Sequence, residues 1–508
     1  MSSPNSNLQD PTTTHHLSPS DSKCHLLDHD LTLMVGQSVS LTLGNDSLLI
    51  VDEGAMRKPD RTCCGLFPKP TNKVTHSISL YNVLDADLSA TSLTITYAEH
   101  SGKDDVAVNA LQYPIAEDET ITAKTWTANL INLAYRNALR HKRLKILINP
   151  FGGKGTAAYL YRTYAEPVFA AAHCQLDVQE TTHSGHATEI AEQIDIDAYD
   201  AIVCCSGDGL PYEVFNGLAK KPNAGTALAK MAVAMLPCGS GNAMAWNLLG
   251  TGSISIAALT IVKALRMSFD LASVTQAGTR TLSFLSQSFG IVAESDLGTD
   301  HVRWMGAHRF TYGFLVRLMS RTIYPCDLAV KVVIDDKNAI KEHYNAYASG
   351  AAVTSSTENA TEQSEGLPTL EYGTVQDDLP KDWEVIPAET IGNFYAGNMA
   401  IMSKDMPFFP ASVPNDGLMD VVMIDGTISR ATSLKMMTAI PEGGFFDMPD
   451  VNIHKAKAYR LIPREKQGYI SVDGEKIPFE AFQVEIHQGL GTVLAKSERL
   501  YETPGPRP

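Results

Sequence analysis

Three glycine-rich stretches, each directly behind an apolar run, hold the residues of this chain whose types and spacing suit phosphate chemistry. The first is Asn149-Pro150-Phe151-Gly152-Gly153-Lys154-Gly155-Thr156, after the run Leu144 to Ile148. Glycines there let backbone N–H groups come close to a phosphate, and a helix starting behind them adds partial positive charge. The GxxxxGK[ST] spacing of a Walker A loop is absent, so this turn alone reads equally as a tight strand-to-helix connection. The second stretch, Ser206-Gly207-Asp208-Gly209-Leu210, follows Ala201 to Cys205 and sets a carboxylate between two glycines. An acid there stands where open α/β sheets bind ligands, although turn-forming or helix-capping aspartates occupy such positions too. Glu213, about one turn further on, faces either nucleotide or solvent. The third stretch, Pro237-Cys238-Gly239-Ser240-Gly241-Asn242, follows Ala232 to Leu236. If the three apolar runs are neighbouring parallel strands, the turns converge on one sheet edge as a phosphate cradle with an acid in it.

The elements that must position these turns follow from the patterning. From Leu144 onward apolar strands alternate with helical segments, which predicts a parallel sheet with crossover helices. After about Phe269 the chain becomes β-rich again, as in Leu328-Ala-Val-Lys-Val-Val-Ile, Asp420-Val-Val-Met-Ile and Tyr469-Ile-Ser-Val, so a second, all-β domain is expected. Between Leu31 and Ile115 short alternating runs separated by Gly, Asn, Asp and Ser predict antiparallel strands. Trp126 and an amphipathic segment from Leu130 to Leu139 follow them, and strands closed by one helix resemble a pleckstrin-homology-like module; an unclassified β extension is the alternative. The predicted organisation is a disordered tail over 1–27, a β-rich module over 28–140, an α/β domain over 141–268 and a β-rich domain over 269–500. Within the last, the polar stretch at about 354–381 reads as a disordered insertion.

Bulk properties narrow the function. A chain of 508 residues with 44% hydrophobic and 19% charged residues is long enough for two or three globular cores. A formal charge of −16 excludes a protein that tracks nucleic-acid phosphates. The eight cysteines show no CxxC spacing, which suits a reduced, cytoplasmic setting. No apolar run reaches about 18 residues, so membrane contact is expected to be peripheral. The pair Cys63-Cys64, close to Arg61 and Lys69, is a candidate for S-acylation, with plain small residues in a turn as the alternative.

Taken in order, Asn149-Pro150, Gly152-Gly153-Lys154-Gly155, Ser206 to Leu210 with Glu213, Asn216-Gly217, Pro237 and Gly239 to Asn242 resemble the diacylglycerol-kinase catalytic family, and within it the sphingosine kinases. The resemblance runs from about 142 to 500. It implies an α/β nucleotide-binding domain related to NAD kinase and phosphofructokinase, then a C-terminal β-sandwich, here with an N-terminal β-rich extension. The subfamily assignment rests on Ser286 to Asp296, Arg303, Gly306 and Arg309 to Gly313. By the resemblance, Asp208 is the catalytic base and Ser206, Gly207, Asp208, Gly209 and Asp296 meet the lipid substrate, with Asp296 at its polar head. ATP is expected at Asn149 to Gly155, Thr181, Gly185, Glu213, Gly239, Ser240, Gly241, Arg303 and Arg309. Asp473-Gly474-Glu475 resembles a late family signature that returns to the nucleotide, and a hairpin turn is its simpler reading. Pro211-Tyr212 stands where animal members carry Met-His, a fungal-type variant, and Glu294-Ser295 replaces the usual Asp-Val before Asp296.

The expected reaction is MgATP-dependent phosphorylation of the primary hydroxyl of a sphingoid base, the Mg²⁺ ligands being unassigned. An anionic Asp296 suits a cationic amino-alcohol, and the arginines suit a transferring phosphoryl group. A helix over Phe310 to Tyr324, with Phe314, Leu315, Leu318 and Met319 at helical spacing, is expected to wall the lipid tail or to pack on the sandwich. The alternatives are a ceramide or diacylglycerol kinase, an NAD kinase, or a catalytically inactive lipid-binding adaptor. Oligomeric state is not legible.

Overall fold

The computed structural model describes residues 31–36, 38–54, 74–153, 155–299, 308–320, 323–351 and 365–507. In the N-terminal part, β1 (Thr32–Val35), β2 (Val39–Leu43), β3 (Ser47–Asp52) and β4 (Val74–Ser79) form an antiparallel sheet in that order. A second antiparallel sheet joins β5 (Val83–Leu88), β6 (Ser92–Ser101) and β7 (Asp105–Pro114). Every second residue of β1, and of β6 as far as Tyr97, is buried, because one face of each sheet meets the core and the other meets water. The helix α1 (Thr120–Tyr135) closes this core with Ala123, Trp126, Leu130 and Ala134, and the Trp126 indole N–H donates to the Leu31 carbonyl at 3.2 Å. It begins ten residues before the amphipathic segment expected from sequence and stops at Arg136, where φ turns to +49°. Its first turns are too polar to show a helical face in the sequence.

The next part contains β8 (Arg143–Ile148), β9 (Gln175–Glu180), β10 (Ala201–Ser206) and β11 (Ala232–Pro237), all parallel, in the order β11-β10-β8-β9. Helices cover the sheet: α2 (Ala157–Leu160), α3 (Glu166–Ala171), α4 (His186–Gln193), α5 (Gly209–Ala219), α6 (Ala224–Lys230), α7 (Ala243–Leu249) and α8 (Ile254–Lys263). β10 and β11 are buried at every position, as continuous apolar runs under helices on both faces must be. Among the described residues no single helix is long and apolar enough to cross a membrane, and the bent pair α7 and α8, which together have the length, is buried in this core.

The C-terminal part contains β12 (Leu265–Gln276), β13 (Thr279–Ser283), β14 (Ser286–Gly290), α9 (Ile291–Leu297), α10 (His308–Ser320), β15 (Cys326–Ile334), α11 (Lys337–Ala348), β16 (Glu384–Ile386), β17 (Ile391–Gly397), β18 (Met419–Asp425), α12 (Arg430–Ala439), β19 (Asn452–Pro463), β20 (Ile470–Val472), β21 (Glu475–Ile477) and β22 (Phe482–Ala495). Its strands run β21-β20-β14-β17-β18-β19-β22, and β22 then lies parallel to β11 through Val233 and Val493. The long antiparallel ribbon of β12 and β22 therefore belongs to both halves, from Leu265 opposite Ala495 to Thr275 opposite Gln483.

The polar insertion expected over about 354–381 is only partly described. Residues 365–381 differ from the disorder expected, because buried side chains of the sheet hold their backbone. Arg460 donates to the carbonyls of Thr374 and Asp377, Gln483 to those of Tyr372 and Gly373, and Glu485 accepts the N–H groups of Glu371 and Tyr372. Polar composition hid this, since the strap's own side chains supply little of the attachment.

Candidate active site

The parallel register of β8, β10 and β11 brings their three following turns to one edge of the sheet. In the first, the Asn149 carboxamide accepts the Phe151 N–H at 2.9 Å, and Gly153 takes φ +59°. A Cβ on Gly153 would lie 3.2 Å from the Cys238 carbonyl, so the first and third turns touch. Those after β10 and β11 touch more closely: a Cβ on Gly239 would lie 2.3 Å from Cα of Gly207. Asn242, at φ +57°, braces the third turn by accepting the Gly239 N–H and donating to the Gly239 carbonyl, each at 2.9 Å. Thr181, at the end of β9, is buried and bonds to the Ile148 carbonyl. Phe151 is exposed.

Asp208 stands at the centre of this arrangement. Its carboxylate accepts the Ala243 and Met244 N–H groups, both at 3.0 Å, at the start of α7. Burial pushes its pKa above the ordinary carboxylate value, and these amides pull against that shift. Glu213 turns to the other side of α5, where its carboxylate takes the Gly185 and Ala187 N–H groups at 3.0 and 3.1 Å. Glu213 and Gly185, both read toward nucleotide from sequence, are thus bonded to each other at the start of α4.

Residues from the C-terminal part complete the edge. Asp473 and Gly474, at φ +53° and +83°, form a two-residue turn between β20 and β21. The turn carries Glu475 to Gly209, where a Cβ would lie 3.1 Å from its Oε1. Asp473 is buried and accepts the Ser283 hydroxyl at 2.6 Å and the Phe284, Leu285 and Ser286 N–H groups at 2.8 to 2.9 Å. Burial lifts its pKa to about 6 against those bonds. Asn216 fastens α5 to β13 through both backbone groups of Leu282, and Asn247 fastens α7 to both backbone groups of Ile401.

Asp296 lies on α9, and its charge, with those of Asp473 and Asp208, acts on the buried phenol of Tyr395. Glu294 points elsewhere: it accepts the Tyr324 hydroxyl at 2.5 Å and pairs with Arg317 at 3.7 Å, on a cavity of about 500 Å³ beside Phe289, Lys476 and Phe479. On α10, Leu318 is buried and Phe314 packs on the sheet core, whereas Tyr312, Leu315 and Val316 are exposed. Tyr395 was not singled out from sequence, and Asp473 was read there only as the first residue of the Asp-Gly-Glu triplet. Lys154, Arg303, Cys63 and Cys64 lie outside the described residues. Arg309 falls in the first turn of α10.

Residues 143–274 match the diacylglycerol kinase catalytic domain, 375–495 the YegS C-terminal NAD kinase beta sandwich-like domain, and 31–136 a domain of unknown function. Sphingoid long chain base kinase 4 of Schizosaccharomyces pombe is 32% identical over 458 residues, covering 89% of this chain and 95% of that protein. The chain belongs to the sphingoid long-chain-base kinase family. Sphingoid long chain base kinase 5 of Saccharomyces cerevisiae is 33% identical over 426 residues, which cover 74% of this kinase-family chain but only 62%, under two thirds, of that relative. Both relatives are yeast proteins, in keeping with the fungal-type Pro211-Tyr212 pair. A solved structure of a diacylglycerol kinase from Bacillus anthracis covers 70% of this chain and 98% of its own at 17% identity and a TM-score of 0.46. The α/β half followed by a β-sandwich agrees with the fold class read from sequence.

Proposed function

We propose that this protein transfers the γ-phosphoryl group of ATP to the primary hydroxyl of a sphingoid long-chain base. The observation that carries this reading is the position of Asp208, held between three glycine turns and within electrostatic range of the same phenol as Asp296. Asp208 takes the proton from the substrate hydroxyl. The alkoxide oxygen then bonds to the γ-phosphorus, the bond to the β-phosphate oxygen breaks, and ADP leaves. Free N–H groups of the turns, with Arg303 and Arg309, hold the phosphates, and Glu475 borders them. Asp296 pairs with the substrate ammonium, an interaction for which neutral ceramide or diacylglycerol has no group.

No group of three or more His, Cys, Asp or Glu residues among those described is placed to hold a metal ion. Mg²⁺ bound to the ATP phosphates would neutralise their charge during transfer. Exposed Tyr312, Leu315 and Val316 beside α9 suit peripheral contact with an intracellular or plasma membrane from the cytoplasmic side. Among the described residues of 28–140, seven strands in two sheets closed by α1 support a pleckstrin-homology-like reading.

The test is transfer of labelled γ-phosphate from MgATP to sphingosine, dihydrosphingosine, phytosphingosine, ceramide, diacylglycerol and NAD. Label on the free bases, lost in Asp208→Asn while ATP binding persists, is the expected result. Label on ceramide, diacylglycerol or NAD alone removes the role given to Asp296. ATP binding without transfer to any acceptor favours the inactive adaptor.

A further inference from the structure

Asp296 stands on α9, a helix of seven residues, too short to hold an orientation without ties to its surroundings. Glu294 stands two residues earlier, and at about 100° per residue the two acids leave the helix on nearly opposite sides. On its side, the Glu294 carboxylate accepts the Tyr324 hydroxyl at 2.5 Å through Oε2, while Oε1 lies 3.7 Å from the Arg317 guanidinium of α10. Tyr324 is a fixed point. It is 8% exposed, its ring lies edge-on to Phe289 of β14 at 6.4 Å, and its backbone N–H donates to the Ile391 carbonyl of β17 at 2.7 Å. The bond from its hydroxyl therefore ties α9 to the strands of the C-terminal half. Glu294 and Tyr324 both border the cavity of about 500 Å³, so close packing does not hold the helix on this side and the polar tie must. Next to Glu294, Ser295 meets α10 directly: a Cβ on Gly313 would lie 2.7 Å from its carbonyl oxygen.

We propose that Glu294 and Tyr324 are positioning residues that set the rotation of α9 and thereby aim Asp296 at the substrate ammonium. The inference rests on the proposed function. A helix carries its side-chain ends about 5 Å from its axis, so turning α9 by about 20° moves the Asp296 carboxylate by roughly 2 Å, enough to break a charge-assisted contact. The bond between Glu294 and Tyr324 is what resists that turn.

The test is initial-rate kinetics with dihydrosphingosine varied at saturating ATP, and then with ATP varied at saturating base. Glu294→Ala, Tyr324→Phe and Asp296→Asn are compared with the double variants that join each of the first two to Asp296→Asn. Tyr324→Phe keeps the ring against Phe289 and removes only the hydroxyl, and thermal midpoints check that every variant folds. Glu294→Ala and Tyr324→Phe should each raise KM for the base roughly fivefold, the order of one hydrogen bond, and leave KM for ATP within about twofold. Because both act through Asp296, adding either to Asp296→Asn should raise KM for the base by less than about twofold further. An unchanged KM for the base in Tyr324→Phe, or the full rise repeated on top of Asp296→Asn, overturns the positioning role. An unchanged KM in Asp296→Asn alone overturns the reading of Asp296 on which that role rests, so the single variant tells the two failures apart.

Discussion

Replacing Gly239 by alanine tests the closeness of the turns behind β10 and β11. The new Cβ would lie 2.3 Å from Cα and 2.5 Å from N of Gly207. Ordinary carbon contacts begin near ~3.5 Å, so the turns must part by about 1 Å, and no side-chain rotation can relieve a clash between two backbones. Parting them strains the two 3.0 Å bonds from Ala243 and Met244 to Asp208, which span the same gap. Bonds to a charged group contribute about 1.5–3 kcal/mol each, which sets a ceiling of roughly 3–6 kcal/mol if both are lost. A displacement of this size at reacting groups costs on the order of 100-fold in rate. Gly278→Ala is the control: it lies in the hairpin between β12 and β13 at φ +79° with nothing within 4 Å, so it introduces backbone strain alone. The assay is labelled phosphate transfer alongside thermal unfolding followed by circular dichroism. Gly239→Ala should lose activity at temperatures where it remains folded, and Gly278→Ala should lose only stability. Retention of activity within threefold in Gly239→Ala, or an equal loss in Gly278→Ala, would refute the reasoning.

Asp473, with its pKa raised from 3.8 to about 6, gives up its proton later in the folded protein than in the unfolded chain. Its contribution to stability is therefore full below about pH 4 and is lost as pH rises through about 6, a change of roughly 3 kcal/mol from the linkage of 1.36 kcal/mol per unit. Asp473→Asn should flatten that portion of the midpoint-against-pH curve, and an unchanged slope would show that the carboxylate is not held as described. Asp296→Asn should raise KM for the base by about tenfold or more with a smaller effect on kcat, checked by initial rates at saturating ATP. An unchanged KM would remove the ammonium from that position.

The turns were legible because Ala201 to Cys205 and Ala232 to Leu236 are continuous apolar runs, and only strands covered on both faces tolerate that composition. Once those strands are parallel neighbours, Gly207 and Gly239 must lie side by side. Tyr395 was not legible, and Asp473 was legible only as the first residue of the Asp-Gly-Glu triplet, since the phenol meets Ser286 and the carboxylate meets Ser283 to Ser286 across more than a hundred residues. The direction of Glu213 was hidden for another reason: α5 turns it to the start of α4, and its distance from Asp208 along the chain does not fix its side of the helix. The ordered strap at 365–381 hid behind its own polarity, because Arg460, Gln483 and Glu485, far downstream, bind its backbone.

The position of β22 also bears on how this chain is made. The parallel sheet cannot be completed until Val493 of β22 reaches Val233. Until then β11 presents an open, apolar edge, the kind of edge that pairs with other chains. Synthesis from the N-terminus can therefore complete the two small sheets and α1 early, while the α/β half waits for the last strand of the C-terminal half. A truncation just after β12 would leave that half without its closing strand. Residues 141–268 carry the three turns, yet this topology makes them dependent on β22, and the turns should acquire their final geometry late in folding.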